Sequence, residues 1–574
     1  MDHSTLSTSL AIVSIFLISA CSTVPRVNTG GYVNHPIGPE IVKVERAGFP
    51  LCSDDVVYDE VNNKPVCDSE LFVGIAISGG GSRAANFGLG ALWGLEQLGI
   101  LDHATALSSV SGGSLAATYV AVHGLKSSVE FDDAAAAMRQ NFLGAWEFRS
   151  MDPLRVLRVN TTHETATNTL ADTFDSLLFH GATFSGLGPF GPGRPYLFIN
   201  ASLQNPVTSR GKLTTRGANA SSGSLQGFTF TQAAFSEIDS DLGGYRLADA
   251  VAASGAYPGL FEPMTLRNYS DFSLPGDPPD KYLHLSDGGL ADNLGVDALI
   301  RALEESRASV LNLHHEPQAC LLVLVDAAVH APVEDSGAKE DLRVTPLINS
   351  VVSSSLKRGY DILLDRRRED QLSYFGFNVS SDTATRFNPA AAISFGNYSY
   401  VDNGTSKSIG RGPNLHQVSP YGIVSGATCA VWHISFDHLR EVAGMYNRFQ
   451  RENYGSWTRL PDPLKDDLEG STKKMDYLVN SIGTNYKLVL DRGSGCSARD
   501  VQHAIFDAAT MLVRSDGATL KELSKWLRAN HEPALASSVK SAEEPLHKAV
   551  SMQSISVDQG DSTGRGGIIC HKHG

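Results

Sequence analysis

Three features of the amino-acid sequence predict an α/β fold built on a mainly parallel central sheet. The first is Leu71 to Ile77, Leu-Phe-Val-Gly-Ile-Ala-Ile, an unbroken apolar run with no polar face, as expected of a strand covered on both sides. The second follows directly. Gly79-Gly80-Gly81 turns the chain, and Ala85, Leu89, Leu92, Leu95 and Leu98 recur at helical spacing until Gly99 ends the run. The third is repetition of the same grammar: Ala104 to Val110 reads as a strand, Ser111-Gly112-Gly113 as a tight turn, and Leu115 to Val122 as the start of a helix. Two βα units in tandem imply parallel strands with helices packed on the sheet.

Further strands are expected at Tyr196 to Ala201, Gly227 to Thr231, Tyr282 to Leu285 and Leu321 to Val325, with helices at Val296 to Leu303 and along the apolar stripe from Leu347 to Leu364. Between Ser22 and Ser69, prolines and glycines break every period, so this stretch reads as a tether and irregular leader. Glu369 to Gly483 is rich in Gly, Asn and Ser and reads as a decorated lid or insertion, and Glu532 to Gly574 as a disordered tail.

The chain has 574 residues, enough for a large core, and its formal net charge of -15 opposes the counterion release that rewards nucleic-acid binding. Nucleic acid is therefore excluded as a partner class. The apolar run Leu10 to Ala20 is too short to span a bilayer and has the length of a signal-peptide core. It ends in Ile18-Ser19-Ala20-Cys21, which resembles a bacterial lipobox and makes Cys21 a candidate lipidated N-terminus; Ser22 after it implies the outer membrane. The segment Met1 to Leu10 departs from that pattern in having no Lys or Arg, which leaves an ordinary cleaved signal as the alternative. The other six cysteines have no zinc-site spacing and form an even set that an oxidising compartment could pair, with Cys52 and Cys67 the expected pair.

Chemistry concentrates in three glycine-flanked turns. Ser109-Val110-Ser111-Gly112-Gly113 is a strand-to-helix elbow of the kind that exposes a serine nucleophile, although Ser109 replaces the first glycine of G-x-S-x-G. Such a turn also occurs for packing alone. Gly79-Gly80-Gly81 ends the preceding strand, where backbone N–H groups and a helix N-terminus could hold an oxyanion, with Arg83 adding a positive charge. A packing turn or phosphate cradle is the alternative, but no Gly-Lys-Ser/Thr follows. Asp287-Gly288-Gly289 places a carboxylate on a third turn, where taken alone it reads as a turn residue or helix cap, with Asp292 and Asp326 as competing acids.

In this order the three turns resemble the patatin-like phospholipase family: a glycine-rich oxyanion turn with Arg, a serine elbow, then Asp-Gly-Gly. The run Ala253-Ser254-Gly255-Ala256-Tyr257-Pro258-Gly259-Leu260-Phe261, with Asn293 and Gly295, is similar to the family's sequence around its aspartate. The resemblance covers Phe72 to Leu303. It implies a three-layer α/β/α patatin-like fold and a Ser111–Asp287 dyad without histidine. It also implies an oxyanion hole from Gly79, Gly80, Gly81 and Arg83, and hydrolysis of acyl esters of membrane or neutral lipids, with no cofactor and no metal. The expected division is a signal peptide at 1–20, a tether at 21–70, a catalytic core at 71–335, an extension or insertion packing on it at 336–531, and the tail at 532–574. A lipid-binding envelope lipoprotein without catalysis, and a soluble esterase or peptidase, are the competing readings.

Overall fold

The computed structural model describes residues 33–37, 57–59, 64–66, 71–162, 164–188, 193–205, 226–269, 281–310, 319–328, 354–377, 386–393, 398–402, 405–409, 427–436, 438 and 498–541. Cys21, the signal segment, the Cys52 and Cys67 pair and the tail beyond 541 lie outside the described residues. Among the described residues, nine strands form the central sheet: β1 (Leu71–Ile77), β2 (Ala106–Val110), β3 (Tyr196–Leu203), β4 (Gln226–Thr229), β5 (Met264–Arg267), β6 (Tyr282–Asp287), β7 (Ala319–Asp326), β8 (Phe387–Ile393) and β9 (Ala427–Ser435). The order across the sheet is β8-β9-β7-β1-β2-β3-β6-β5, with β4 also paired to β3. From β9 to β3 each neighbour is parallel to the next, while β8, β4, β6 and β5 join antiparallel.

The helices used below are α1 (Gly81–Gln97), α2 (Gly112–His123), α3 (Ser128–Met138), α4 (Phe142–Ser150), α5 (Pro153–Thr161), α6 (Ala166–Phe174), α7 (Leu247–Ser254), α8 (Val296–Val310), α9 (Ser354–Tyr374), α10 (Ala498–Ser515), α11 (Gly517–Ala529) and α12 (Pro533–Ser541). Strand alternation divides the core between the two faces of the sheet. Val73, Ile75 and Ile77 of β1 join Val323 of β7 in one cluster with Leu92 of α1, Leu115 of α2, Val251 of α7 and Leu512 of α10. Phe72 and Ala76 of β1 join Leu322, Leu324 and Val431 in the other, against Leu299 of α8 and Leu372 of α9. The fold is three-layered, α/β/α. β1 and β7 are buried at every position, which is why both read as apolar runs without alternation.

Two expectations need correction, and one expected helix runs further than expected. The described part of Glu369 to Gly483 is not simply a lid: β8 and β9 belong to the central sheet, and β9 lies between β8 and β7. The stretch expected to be disordered from Glu532 opens with α12, whose Leu535, Ala536 and Val539 are buried in the core. The helix expected over Leu347 to Leu364 is described from Ser354 and continues to Tyr374. A disulfide also joins Cys320 of β7 to Cys429 of β9, a pairing the spacing of the cysteines did not suggest.

Candidate active site

The site is assembled by the register of β3. Val110, the last residue of β2, pairs with Asn200, and Asp287, the last residue of β6, pairs with the next residue, Ala201. β2 is parallel to β3 and β6 antiparallel, so the two strands end facing each other and the turns beyond them meet. Ser111 Oγ donates to Asp287 Oδ2 at 3.2 Å, across 176 residues of sequence. Both are nearly enclosed, at 9% and 6% exposure, respectively. Burial pushes the Asp287 carboxyl up to about 6, against the opposing pull of the Gly289 N–H and the Ser111 hydroxyl. The other oxygen, Asp287 Oδ1, accepts the Gly289 N–H at 2.8 Å, which fixes the carboxylate plane.

Ser111 has φ 50° and ψ -120°, a conformation L-residues rarely adopt. The surroundings hold it there. The Ser111 N–H donates to Ser254 Oγ at 2.8 Å, and Ser254 Oγ donates in turn to the Asn200 carbonyl at 2.5 Å. Gly112 is required for a separate reason: a Cβ there would overlap the Gly81 carbonyl, so the elbow and the glycine turn are in backbone contact. Ser109, where the motif has glycine, donates from its hydroxyl to the Phe198 carbonyl of β3 at 3.1 Å, so the departure is accommodated by a buried hydrogen bond.

The glycine turn is held from three sides. The Ser78 N–H donates to the Val325 carbonyl at 2.9 Å, and the Gly79 N–H donates to the Asn293 carbonyl at 3.0 Å, so the Gly79 amide, expected to line an oxyanion hole, is instead engaged in holding the turn. Gly80 has φ 144°, open to glycine and strained for other residues, and α1 begins at Gly81. The first amides of that helix form the positive end of its dipole. Arg83 Nε donates to the Ala327 carbonyl at 2.6 Å, and its guanidinium lies 5.8 Å from the Phe436 ring centre. The expected charge beside the turn is thus present, and it also ties α1 to the end of β7.

The two competing acids are occupied elsewhere. Asp292 accepts the N–H groups of Leu294, Gly295 and Asp297 and the Gln371 side chain, at 2.7 to 3.1 Å. Asp326 is fully buried against Arg368 Nε at 2.5 Å and His433 Nε2 at 3.0 Å. Burial alone would push its carboxyl up, but the Arg368 guanidinium and His433 outweigh this and hold it below the usual carboxylate range. His284 is exposed on β6 and meets Thr265 Oγ1 at 3.2 Å, away from the dyad.

Sequence reasoning missed the roles of Ser254 and Asn200. Asn200 is buried, accepts from Thr229 Oγ1 at 2.8 Å through its side-chain oxygen, and donates to Ser108 Oγ and the Ser109 carbonyl at 2.8 and 3.0 Å. It supports the strand leading to Ser111. The only signal was the placement of Ser254 in the small-residue run before Asp287.

Comparison with known proteins adds the following. No curated protein sequence matches the chain. Among solved structures, human GIVD cytosolic phospholipase A2 is similar at 12% identity with a TM-score of 0.37, over 82% of this chain and 60% of that one. The same human enzyme in complex with methyl gamma-linolenyl fluorophosphonate is similar at 11% identity and a TM-score of 0.32, over 83% and 61%. The chain therefore spans about three fifths of the length of those proteins, and likeness at this level assigns neither residues nor substrate. Residues 75–300 match the family model described as patatin-like phospholipase.

Proposed function

We propose that the chain is a lipid acyl hydrolase that cleaves carboxylic esters through an acyl-enzyme on Ser111, with Asp287 as its base. The observation that carries this reading is the 3.2 Å contact between Ser111 Oγ and Asp287 Oδ2 at two converging strand ends, beside a glycine turn that opens a helix. As Ser111 Oγ attacks the ester carbonyl carbon, its proton passes to Asp287, and the carbonyl oxygen becomes an oxyanion facing the amides at Gly80 and Gly81. Collapse breaks the acyl C–O bond, and the departing alkoxide takes the proton from Asp287. Water then attacks the acyl-enzyme, gives a proton to Asp287, and the carboxylic acid leaves as Ser111 is reprotonated.

A carboxylate at its ordinary ~3.9 would be a weak base for a hydroxyl. Burial of Asp287 raises its basicity toward neutral pH, which supports the assignment. A non-catalytic lipid carrier would have no need of a strained serine bonded to a buried carboxylate. We further place the protein in a bacterial envelope, anchored to the outer membrane through lipid on Cys21, with membrane lipids as substrates. The Ile18-Ser19-Ala20-Cys21 sequence supports this, as does the Cys320–Cys429 disulfide, since such bonds persist in oxidising compartments. No helix among the described residues is long and apolar enough to cross a membrane.

The test is labelling by a serine-directed fluorophosphonate together with fatty-acid release from defined phospholipids. Wild type is expected to label at Ser111, and Ser111→Ala, Asp287→Asn and the double variant to lose activity to nearly the same extent, because a shared step is non-additive. A folded Asp287→Asn protein with normal turnover would remove the base assignment, and a folded, active Ser111→Ala protein the whole reading.

A further inference from the structure

Ser111 and Asp287 are nearly enclosed, yet the segments bearing on them carry large apolar side chains exposed to solvent. Phe148 and Met151 at the end of α4 and Leu154 and Leu157 on α5 recur every third residue and are 58% to 78% exposed. α5 buries none of its residues, and its Arg158 is exposed beside Leu154 and Leu157. This stripe connects to the candidate site. Trp146 of α4 meets Phe261 edge-on at 5.1 Å, the adjoining Leu260 is itself exposed, and six residues before Phe261 a Cβ at Gly255 would stand 3.8 Å from Ser111 Oγ. On the other side, α9 exposes Ile362 and Leu363, while the next residue, Leu364, approaches Gly289 beside Asp287 to 3.3 Å of where a Cβ would be.

Leaving such side chains in water is unfavourable, and soluble surfaces seldom gather them without a partner. Their occurrence on two segments far apart in sequence, each of which leads to residues beside the dyad, is the feature to be explained. We propose that these residues form a docking face for a lipid surface: the α4–α5 stripe and the Ile362–Leu363 pair enter the headgroup and acyl boundary, bringing the Ser111 opening against the aggregate. A helix lying in that boundary with apolar side chains inward and arginine at its edge is an interfacial helix. This inference rests on the lipid-hydrolase reading and names where that enzyme meets its substrate.

The test compares the full chain with its Leu154→Ser/Leu157→Ser variant, whose exposed positions leave the core untouched. Hydrogen exchange is followed with and without phosphatidylethanolamine–phosphatidylglycerol vesicles, which reports contact at 148–157 even if the N-terminus is lipid-anchored. Hydrolysis of those vesicles and of a water-soluble monomeric ester is measured in parallel. Vesicles are expected to slow exchange in 148–157 of the wild type, while the variant hydrolyses them about tenfold more slowly but keeps its soluble-ester rate within about twofold. Unchanged exchange at 148–157 on vesicle addition, or wild-type vesicle hydrolysis by the variant, overturns the proposal. So does protection of 148–157 that rises with protein concentration without lipid, which assigns the face to a second copy. If the wild type gains protection but hydrolyses neither ester, the docking face stands and the hydrolase reading falls.

Discussion

Ser254→Ala removes a single buried hydroxyl and leaves two backbone groups without their partners, the Ser111 N–H and the Asn200 carbonyl. An unsatisfied buried polar group costs about 1–3 kcal/mol, so with two such groups the variant is expected to lose about 2–6 kcal/mol of stability. The catalytic effect is separate. Ser111 sits at φ 50°, a conformation costing of order 1–3 kcal/mol for a non-glycine residue, and the hydrogen bond to Ser254 is one of the restraints that keep it there. Relaxing the elbow by a fraction of an ångström misaligns the hydroxyl with both Asp287 and the ester, for which about 10–100-fold in kcat is the expected loss. KM should change little, because Ser254 lies under the elbow rather than in the substrate's path. Urea unfolding followed by circular dichroism gives the first quantity, and fluorophosphonate labelling rates with ester hydrolysis the second. A Ser254→Ala protein with unchanged unfolding midpoint and wild-type labelling rate would refute the argument that this bond maintains the nucleophile.

Two further outcomes follow from the same geometry. Asp287 must be ionised to accept the proton and burial raises its carboxyl to about 6, so kcat/KM for a soluble ester should rise through that pH and at pH 5 be about a tenth of its plateau; a limb set near 4 would contradict this. Arg368→Met leaves Asp326 buried without its guanidinium and should cost about 3–5 kcal/mol at neutral pH. The Asp326 carboxyl is held below its unfolded value. Its contribution is therefore present above about pH 4 and lost as pH falls toward the folded value, so the gap between wild type and variant, read by urea unfolding, should narrow in acid.

The parts of the fold legible in the sequence were those whose signals are local. β1, the glycine turn and α1 follow from consecutive residues, as do β2, the elbow and α2. β8 was hidden because Phe-Asn-Pro-Ala-Ala-Ala-Ile carries a proline and a register shift between Asn388 and Ala391, tolerable only because the strand lies at the edge of the sheet. β9 was obscured by the Gly-, Asn- and Ser-rich sequence around it, and α12 by having few apolar residues, of which Leu535, Ala536 and Val539 are buried in the core. At the site, serine, aspartate and glycines could be named from motif order. That Asp287 faces Ser111, whereas Asp326 is bonded to Arg368 and His433, depends on contacts between distant segments and could not be read from spacing.

The meeting of β2 and β6 along β3 makes the dyad a report on sheet register. A shift of β6 by one residue would carry Asp287 about 3.4 Å along β3 and turn its side chain to the opposite face, away from Ser111. Neither tandem βα unit can acquire a base by itself, because the carboxylate arrives 176 residues after the nucleophile and only through antiparallel pairing with a third strand. Under the proposed mechanism, a chain that has collapsed without completing this part of the sheet carries a serine and no means of activating it. Activity against membrane lipids would thus appear late in folding, after the long-range pairing is in place, and an incompletely folded chain would pass along a membrane without harming it.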